Sequence, residues 1–285
     1  MRHFDRLPLL LLLLGLIIPE IGPMTAEAHS LYIQAGRYHV VEGKSSPLFF
    51  CYGHHFPVDD AVRSEKLANV RVHAPGGDVR EVALRPGKEL HSYLVDYDAE
   101  GTWALSAATN PGFFSTWFDA SGRKRHSIKP LDEVLERAAS VESSLMSWQW
   151  TKTYVTCGAP STDFPAVLGQ PLELAPMADP ALLRQGDTLL LRVYADGEPL
   201  EELGFWDATY MGFSTEAEDM YVPRAEVVDG LLRLTVDVPG RWFVRFYTKT
   251  PASEELRGRC THVKRTATLV FEVRNERRNP EIDSH

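Results

Sequence analysis

The feature that most constrains this chain is a repeated short-strand pattern. Apolar and polar residues alternate over 31–34, 38–41, 47–52, 69–73, 79–84, 92–96 and 102–107, and each stretch is closed by turn-forming residues such as Gly, Pro, Asp or Asn. Strands at that spacing build antiparallel sandwiches. A second set follows from Gln170, over 187–194, 221–227, 231–236, 241–248 and 266–273. Helical periodicity stands out once: after Pro130, the residues Leu131, Val134, Leu135, Ala138, Val141 and Leu145 form one apolar face, with Asp132, Glu133, Glu136 and Glu142 elsewhere. The expectation is an all-β protein of two immunoglobulin-like β-sandwich units joined by a segment with one helix.

The two units echo each other at their centres. Gly101-Thr102-Trp103 and Gly240-Arg241-Trp242 each place a glycine turn before a strand whose tryptophan reaches a sandwich core. The echo is too short to establish duplication. Trp148 and Trp150, flanking Gln149 on one strand face, are read as core.

The N-terminus reads as a secretory leader. Arg2 and Arg6 precede an apolar run over 7–18, which ends at Pro19-Glu20 and is followed by the small-x-small pattern Ala26-Glu27-Ala28. The run is shorter than a membrane span requires. The expected organisation is therefore a cleaved signal peptide over 1–28, an N-terminal sandwich over 29–120 carrying the candidate site, and a linker with a helix over 121–165. A C-terminal sandwich over 166–275 and a polar tail over 276–285 complete it. The expected location is periplasmic.

A net charge of −9 argues against a nucleic-acid partner and mildly for cations. No Ser-His-Asp order, phosphate-binding glycine loop or paired-carboxylate spacing is present, so the chain is expected not to be an enzyme. In an oxidising compartment three cysteines give one disulfide and one free thiol. Cys157 and Cys260 both sit at strand ends and are the expected pair. Cys51 follows the apolar Leu48-Phe49-Phe50 and is expected to be buried and free.

Candidate chemistry concentrates in Gly53-His54-His55-Phe56-Pro57-Val58-Asp59-Asp60, a loop at a strand end. Imidazole suits divalent nickel, cobalt, copper and zinc, and a nearby carboxylate adds neutralising charge. Adjacent residues of an extended segment point opposite ways, so one of His54 and His55 is the main ligand and the other packs or hydrogen-bonds. Cleavage after Ala28 would make His29 the N-terminal residue, with an α-amine and an imidazole able to close a chelate ring on one ion. If the strand from Leu31 pairs beside the strand ending at Tyr52, His29 and His54 meet at one edge. A surface loop and an accident of cleavage are the plainer readings of the two features taken singly. His39 and His73 alternate with apolar residues and read as packed, while His91, His126 and His262 read as solvated. The basic run Arg123-Lys124-Arg125-His126 reads as a solvated loop or a docking contact.

Several stretches resemble a family of bacterial periplasmic proteins, the periplasmic component of nickel and cobalt uptake, often encoded beside energy-coupling-factor type transporters. They are the Gly53–Asp60 stretch, the Ala28-His29 junction, Lys152-Thr153-Tyr154-Val155, Pro171-Leu172-Glu173-Leu174-Ala175-Pro176 with Asp179-Pro180 and Gly186-Asp187, and Ala267-Thr268-Leu269-Val270-Phe271-Glu272-Val273. The resemblance implies β-sandwich domains that bind a divalent transition metal, Ni2+ or Co2+, with Cu2+ or Zn2+ as alternatives, and an inner-membrane metal transporter as partner. It implies His29 and His54 as ligands, with His55 as a third. Two rival functions stay open: a copper-binding protein or copper monooxygenase beginning with histidine, and a metal-free carbohydrate or adhesion module using exposed aromatics such as Trp117 and Phe118.

Overall fold

The longest strand, Ser140–Cys157, runs through the middle of the protein and collects partners along both edges. On one edge it pairs antiparallel with Gly112–Phe118 and then with Gly101–Thr109. On the other it pairs parallel with His262–Val273 and then with His39–Val40. These pairings come from a computed structural model that describes residues 29–89 and 92–275. The expected signal peptide over 1–28, His91 and the polar tail over 276–285 lie outside the described residues.

The large sheet built on this strand runs in the order Val222–Val227, Gly204–Tyr210, Gly240–Pro251, His262–Val273, Ser140–Cys157, Gly101–Thr109, Leu67–His73 and Val79–Glu81. All nine residues of Gly101–Thr109 are buried, and their side chains alternate between two cores. Trp103, Leu105 and Ala107 pack with Leu31, Ile33, Phe50 and Val95. Ala104 and Ala108 pack with Leu174, Leu191 and Leu232. Gly240–Pro251 divides in the same way, Phe243 facing the first core and Trp242, Val244 and Phe246 the second. The sheet is thus a middle layer. Ser30–Ala35, Lys44–Gly53 and Ser92–Tyr97 cover one face, and a sheet containing Leu172–Pro176, Thr188–Ala195 and Leu231–Thr235 covers the other. The chain is all-β, as expected, but the two β units share one sheet. Burial on both faces explains why the shared strands read as near-continuous apolar or β-branched runs.

The echo at the two centres has a structural counterpart. Gly101 and Gly240 have φ of +133° and +119°, a region that favours glycine. Trp103 and Trp242 are fully buried, one in each core, and each indole N–H donates to the carbonyl four residues earlier, Ala99 at 3.0 Å and Val238 at 2.8 Å. Trp150 is buried and Trp148 packs against the same core, as their spacing predicts.

The helix expected over 131–145 is not formed. Leu131–Glu133 and Leu135–Arg137 are single 3-10 turns, and Ser140 onward is strand. Helical patterning here competes with a β partner already in place: Val141 to Ser147 pair with Trp117 to Gly112. Ser143 and Ser144 are poor helix formers, and so short a helix is marginal without packing. Leu131 and Val134 instead pack on Trp117, which leaves Trp117 buried rather than exposed as a binding platform.

The expected Cys157–Cys260 disulfide is also overturned. All three cysteines are free and buried. Parallel pairing sets Leu145 beside His262, so Cys260 lies near the start of Ser140–Cys157 and Cys157 at its far end. At about 3.3 Å per residue the two are separated by roughly 40 Å, far beyond the ~7 Å limit for a bridge.

The first strand lies over the shared sheet, with every residue of Ser30–Ala35 buried. One edge pairs with Lys44–Gly53. The opposite edge is satisfied by side chains of the middle layer. Leu31 N–H donates to Gln149 Oε1 at 2.6 Å, Ile33 N–H to Thr151 Oγ1 at 3.2 Å, and Thr268 Oγ1 donates to the Leu31 carbonyl at 2.8 Å. A buried backbone edge needs such partners, because each orphaned group costs about 1–3 kcal/mol. Gln149 Nε2 also donates to the His29 carbonyl at 2.7 Å, which fixes the backbone on which the candidate site begins.

Candidate functional site

The site starts from strand register. Ser30 pairs with Gly53, and the antiparallel ladder carried one step further sets His29 opposite His54. Their rings lie 4.4 Å apart, centroid to centroid, at 43°. His29 also stacks on Tyr52 at 5.2 Å and 11°. Lys66 sits 4.1 Å from the centre of the Tyr52 ring and donates to its hydroxyl. Burial lowers the His29 pKa from its ordinary value, and neighbouring His54 and Lys66 lower it further against the smaller opposing pull of Asp59 and Asp60.

The loop after Gly53 is organised by Asp59. Asp59 Oδ2 accepts the backbone N–H of His54 at 2.6 Å and of His55 at 3.0 Å, and His55 Nδ1 lies 3.2 Å away. A side chain at position 53 would collide with this carboxylate, which is why glycine stands there. Partial burial alone would raise the Asp59 pKa, but the two backbone donors and the His55 ring hold it below the usual carboxylate value. Asp60 turns outward, its N–H bonded to the Tyr52 carbonyl and its carboxylate 3.9 Å from Lys88.

His54 is held from the other half of the chain. Its Nδ1 lies 2.5 Å from Glu218 Oε1, and its carbonyl accepts the Glu218 N–H at 3.3 Å. Glu218 Oε2 in turn accepts from Arg245 Nη2 at 2.7 Å, and Arg245 forms a two-pronged pair with Asp207 at 3.0 and 2.6 Å. Arg245 also reaches Ser30 Oγ at 3.2 Å, next to His29. Burial would raise the Glu218 pKa, yet its bonds to His54 and Arg245 bring it down to about 2. A carboxylate only accepts, so Nδ1 of His54 carries the hydrogen, and in the neutral ring Nε2 keeps its lone pair. That Nε2 has no hydrogen-bond partner among the described residues, and neither do the ring nitrogens of His29.

The histidines therefore take different roles. His29 and His54 are brought together; His55 bonds through its ring to Asp59, and its carbonyl accepts from the Tyr32 hydroxyl at 2.5 Å. Among the described residues, no group of three or more His, Cys, Asp and Glu side chains is arranged to hold a metal ion. The pair His29 and His54 supplies two side chains, and a third nitrogen would be the His29 amine of a cleaved chain. The donor set fits a nitrogen-preferring divalent metal. His73 bonds Ser106 Oγ at 3.0 Å, and His126 stacks on Phe114, away from the site. Glu218 and Arg245 escaped sequence reasoning. Glu218 lies 164 positions from His54, on an irregular loop with no period to mark it.

A pocket beside His54 opens between the halves, walled by Tyr32, His55 and Phe56 on one side and Tyr210, Met220 and Phe243 on the other.

Comparison with known proteins gives a family and three distant structural likenesses. No curated protein matches the sequence. An Escherichia coli alpha-2-macroglobulin activated by porcine elastase shares 12% identity over 87% of this chain and 20% of its own, with a TM-score of 0.24. A DUF4785 family protein from Legionella pneumophila shares 11% over 75% of this chain and 50% of its own, at 0.21. The full ectodomain of mouse nectin-like molecule 4 shares 14% over 88% and 67%, at 0.19. This chain thus spans a fifth of the first of these and half of the second. Residues 26–250 match a family model, and the chain belongs to the family described as a domain of unknown function, DUF4198.

Proposed function

We propose that the protein binds one divalent transition-metal ion, nickel or cobalt, outside the inner membrane and supports its uptake. The ligands in this reading are the amine and imidazole of His29, exposed by cleavage after Ala28, and Nε2 of His54. The observation that carries it is the 4.4 Å approach of the two rings, with Nδ1 of His54 already engaged by Glu218. Ligating histidines characteristically give their second nitrogen to a carboxylate, which fixes the ring and raises its basicity. A His29 ring whose pKa is lowered, and the two carboxylates Glu218 and Asp59, favour a cation at the same place. Nitrogen donors alone do not separate nickel from copper, which binds such sites more tightly. The choice of nickel or cobalt, and of an inner-membrane transporter as partner, rests on the likeness of the Gly53–Pro57 stretch to nickel and cobalt uptake components.

Equilibrium dialysis of nickel against protein beginning at His29 tests the reading. One ion per chain is expected, with large losses in His29→Ala and His54→Ala. No binding, or binding indifferent to both substitutions, would overturn it.

A further inference from the structure

The side chains that hold the first strand form a row on the middle layer. Ser147, Gln149 and Thr151 alternate along Ser140–Cys157 with Trp148 and Trp150, whose rings go to the second core, so the three polar residues share the face that carries Ser30–Ala35. Two of them take backbone N–H groups in step: Ile33 donates to Thr151 and Leu31 to Gln149. One further step, two residues back on the strand and two back on the row, sets the nitrogen of His29 at Ser147. The His29 carbonyl already points to this row, since it accepts from Gln149 Nε2 at 2.7 Å. In extended backbone the N–H and C=O of one residue leave on the same side.

Ser147 is the member of the row that lacks a partner. Its Oγ is buried and makes no hydrogen bond among the described residues. Its neighbours across the ladder do not supply one: Gly112 has no side chain, and the Lys264 ammonium lies 4.3 Å from the centre of the Tyr247 ring. Buried polar groups are almost always paired, so an orphan hydroxyl in register with a candidate ligand calls for an explanation.

We propose that Ser147 is a positioning residue for the His29 amine: its Oγ accepts one hydrogen of the amine that cleavage after Ala28 creates, and so aims the nitrogen at the ion beside His54. The inference rests on the metal-binding reading above and adds a residue to it. A free ammonium gives one proton to solvent when it coordinates, which leaves two hydrogens and one lone pair. With one hydrogen on Ser147 the amine no longer rotates freely about its bond to Cα, and the lone pair is held in one direction. Gln149 fixes the carbonyl of the same residue, so His29 is anchored on both sides of its Cα.

Calorimetric titration of nickel into protein beginning at His29 tests the assignment. Ser147→Ala is expected to weaken binding about fivefold, the effect of one hydrogen bond, while Ser147→Thr, which keeps the hydroxyl, stays within about twofold of the unsubstituted chain. Thermal melting without metal confirms that both variants are folded. Undiminished affinity in Ser147→Ala, or equal losses in Ser147→Ala and Ser147→Thr, would overturn the role of Ser147 and leave the metal reading standing. No nickel bound by the unsubstituted chain would overturn both.

Discussion

The imidazole of His29 lies 4.4 Å from that of His54 because the strands carrying them are register partners, Ser30 facing Gly53. The approach is enforced from three sides: Gln149 holds the His29 carbonyl, Asp59 holds the His54 N–H, and Glu218 holds the His54 ring. A contact so determined by backbone and buried side chains is preorganised, which favours binding over a site that must assemble.

The two loop histidines should separate under mutation. His54→Ala is expected to weaken nickel binding by about 100-fold or more, because it removes a ligand, whereas His55→Ala should cost less than about tenfold, because His55 serves the loop through Asp59. Titration calorimetry on both variants checks the contrast. Equal losses would show that His55 coordinates as well.

Glu218 should control acid stability. Its pKa in the folded protein is about 2 against an ordinary 4.5, so its contribution is fully present above about pH 4.5 and is lost as pH falls toward 2. Apo protein should therefore lose roughly 2 kcal/mol more between pH 5 and 2 than Glu218→Gln does. Urea unfolding at the two pH values measures the difference, and identical pH dependence would contradict the role. The same variant should bind nickel about 10- to 100-fold more weakly at neutral pH.

Gln149→Ala leaves the Leu31 N–H and the His29 carbonyl without partners at a buried edge. A loss of about 2–4 kcal/mol in unfolding free energy is expected. A change below about 0.5 kcal/mol would mean that water replaces the side chain and that the first strand is not clamped as described.

Alkylation of the denatured protein without reductant should trap all three cysteines as thiols. A Cys157–Cys260 peptide in a non-reducing map would contradict the parallel pairing of Ser140–Cys157 with His262–Val273.

Strands whose two faces differ were legible from alternation: Lys44–Gly53, Thr188–Ala195 and Leu231–Thr235 appear close to where their patterns place them. Of Ser140–Cys157 the second half is legible as the strand that carries Trp148 and Trp150 and ends at Cys157, whereas its first half and its full length are not. The first half, with Ser143, Ser144 and Ser147, carries apolar residues at spacings that also suit a helix, and the second half is buried on both faces. The choice between helix and strand there is made by the Gly112–Phe118 partner, which is a tertiary fact. The disulfide expectation failed for a related reason: two strand ends read alike in sequence, and only the direction of pairing says whether they are neighbours. The approach of His29 to His54 is legible in the sequence because an antiparallel pair of nearby strands brings residue 29 opposite the loop that follows Gly53. Glu218 is not, because nothing local connects residue 218 to residue 54.

The central claim is that the His29 amine, created by cleavage, is itself a ligand. The most direct measurement is nickel affinity, by calorimetry, of protein beginning at His29 beside protein carrying one added residue before it. The extra residue, N-acetylated so that it brings no new amine, leaves both imidazoles present and converts the His29 amine to an amide, a far poorer donor that binds only on losing its proton. Binding at one ion per chain in the first, weakened by about 100-fold or more in the second, is the predicted result. Equal affinity in the two would contradict the account.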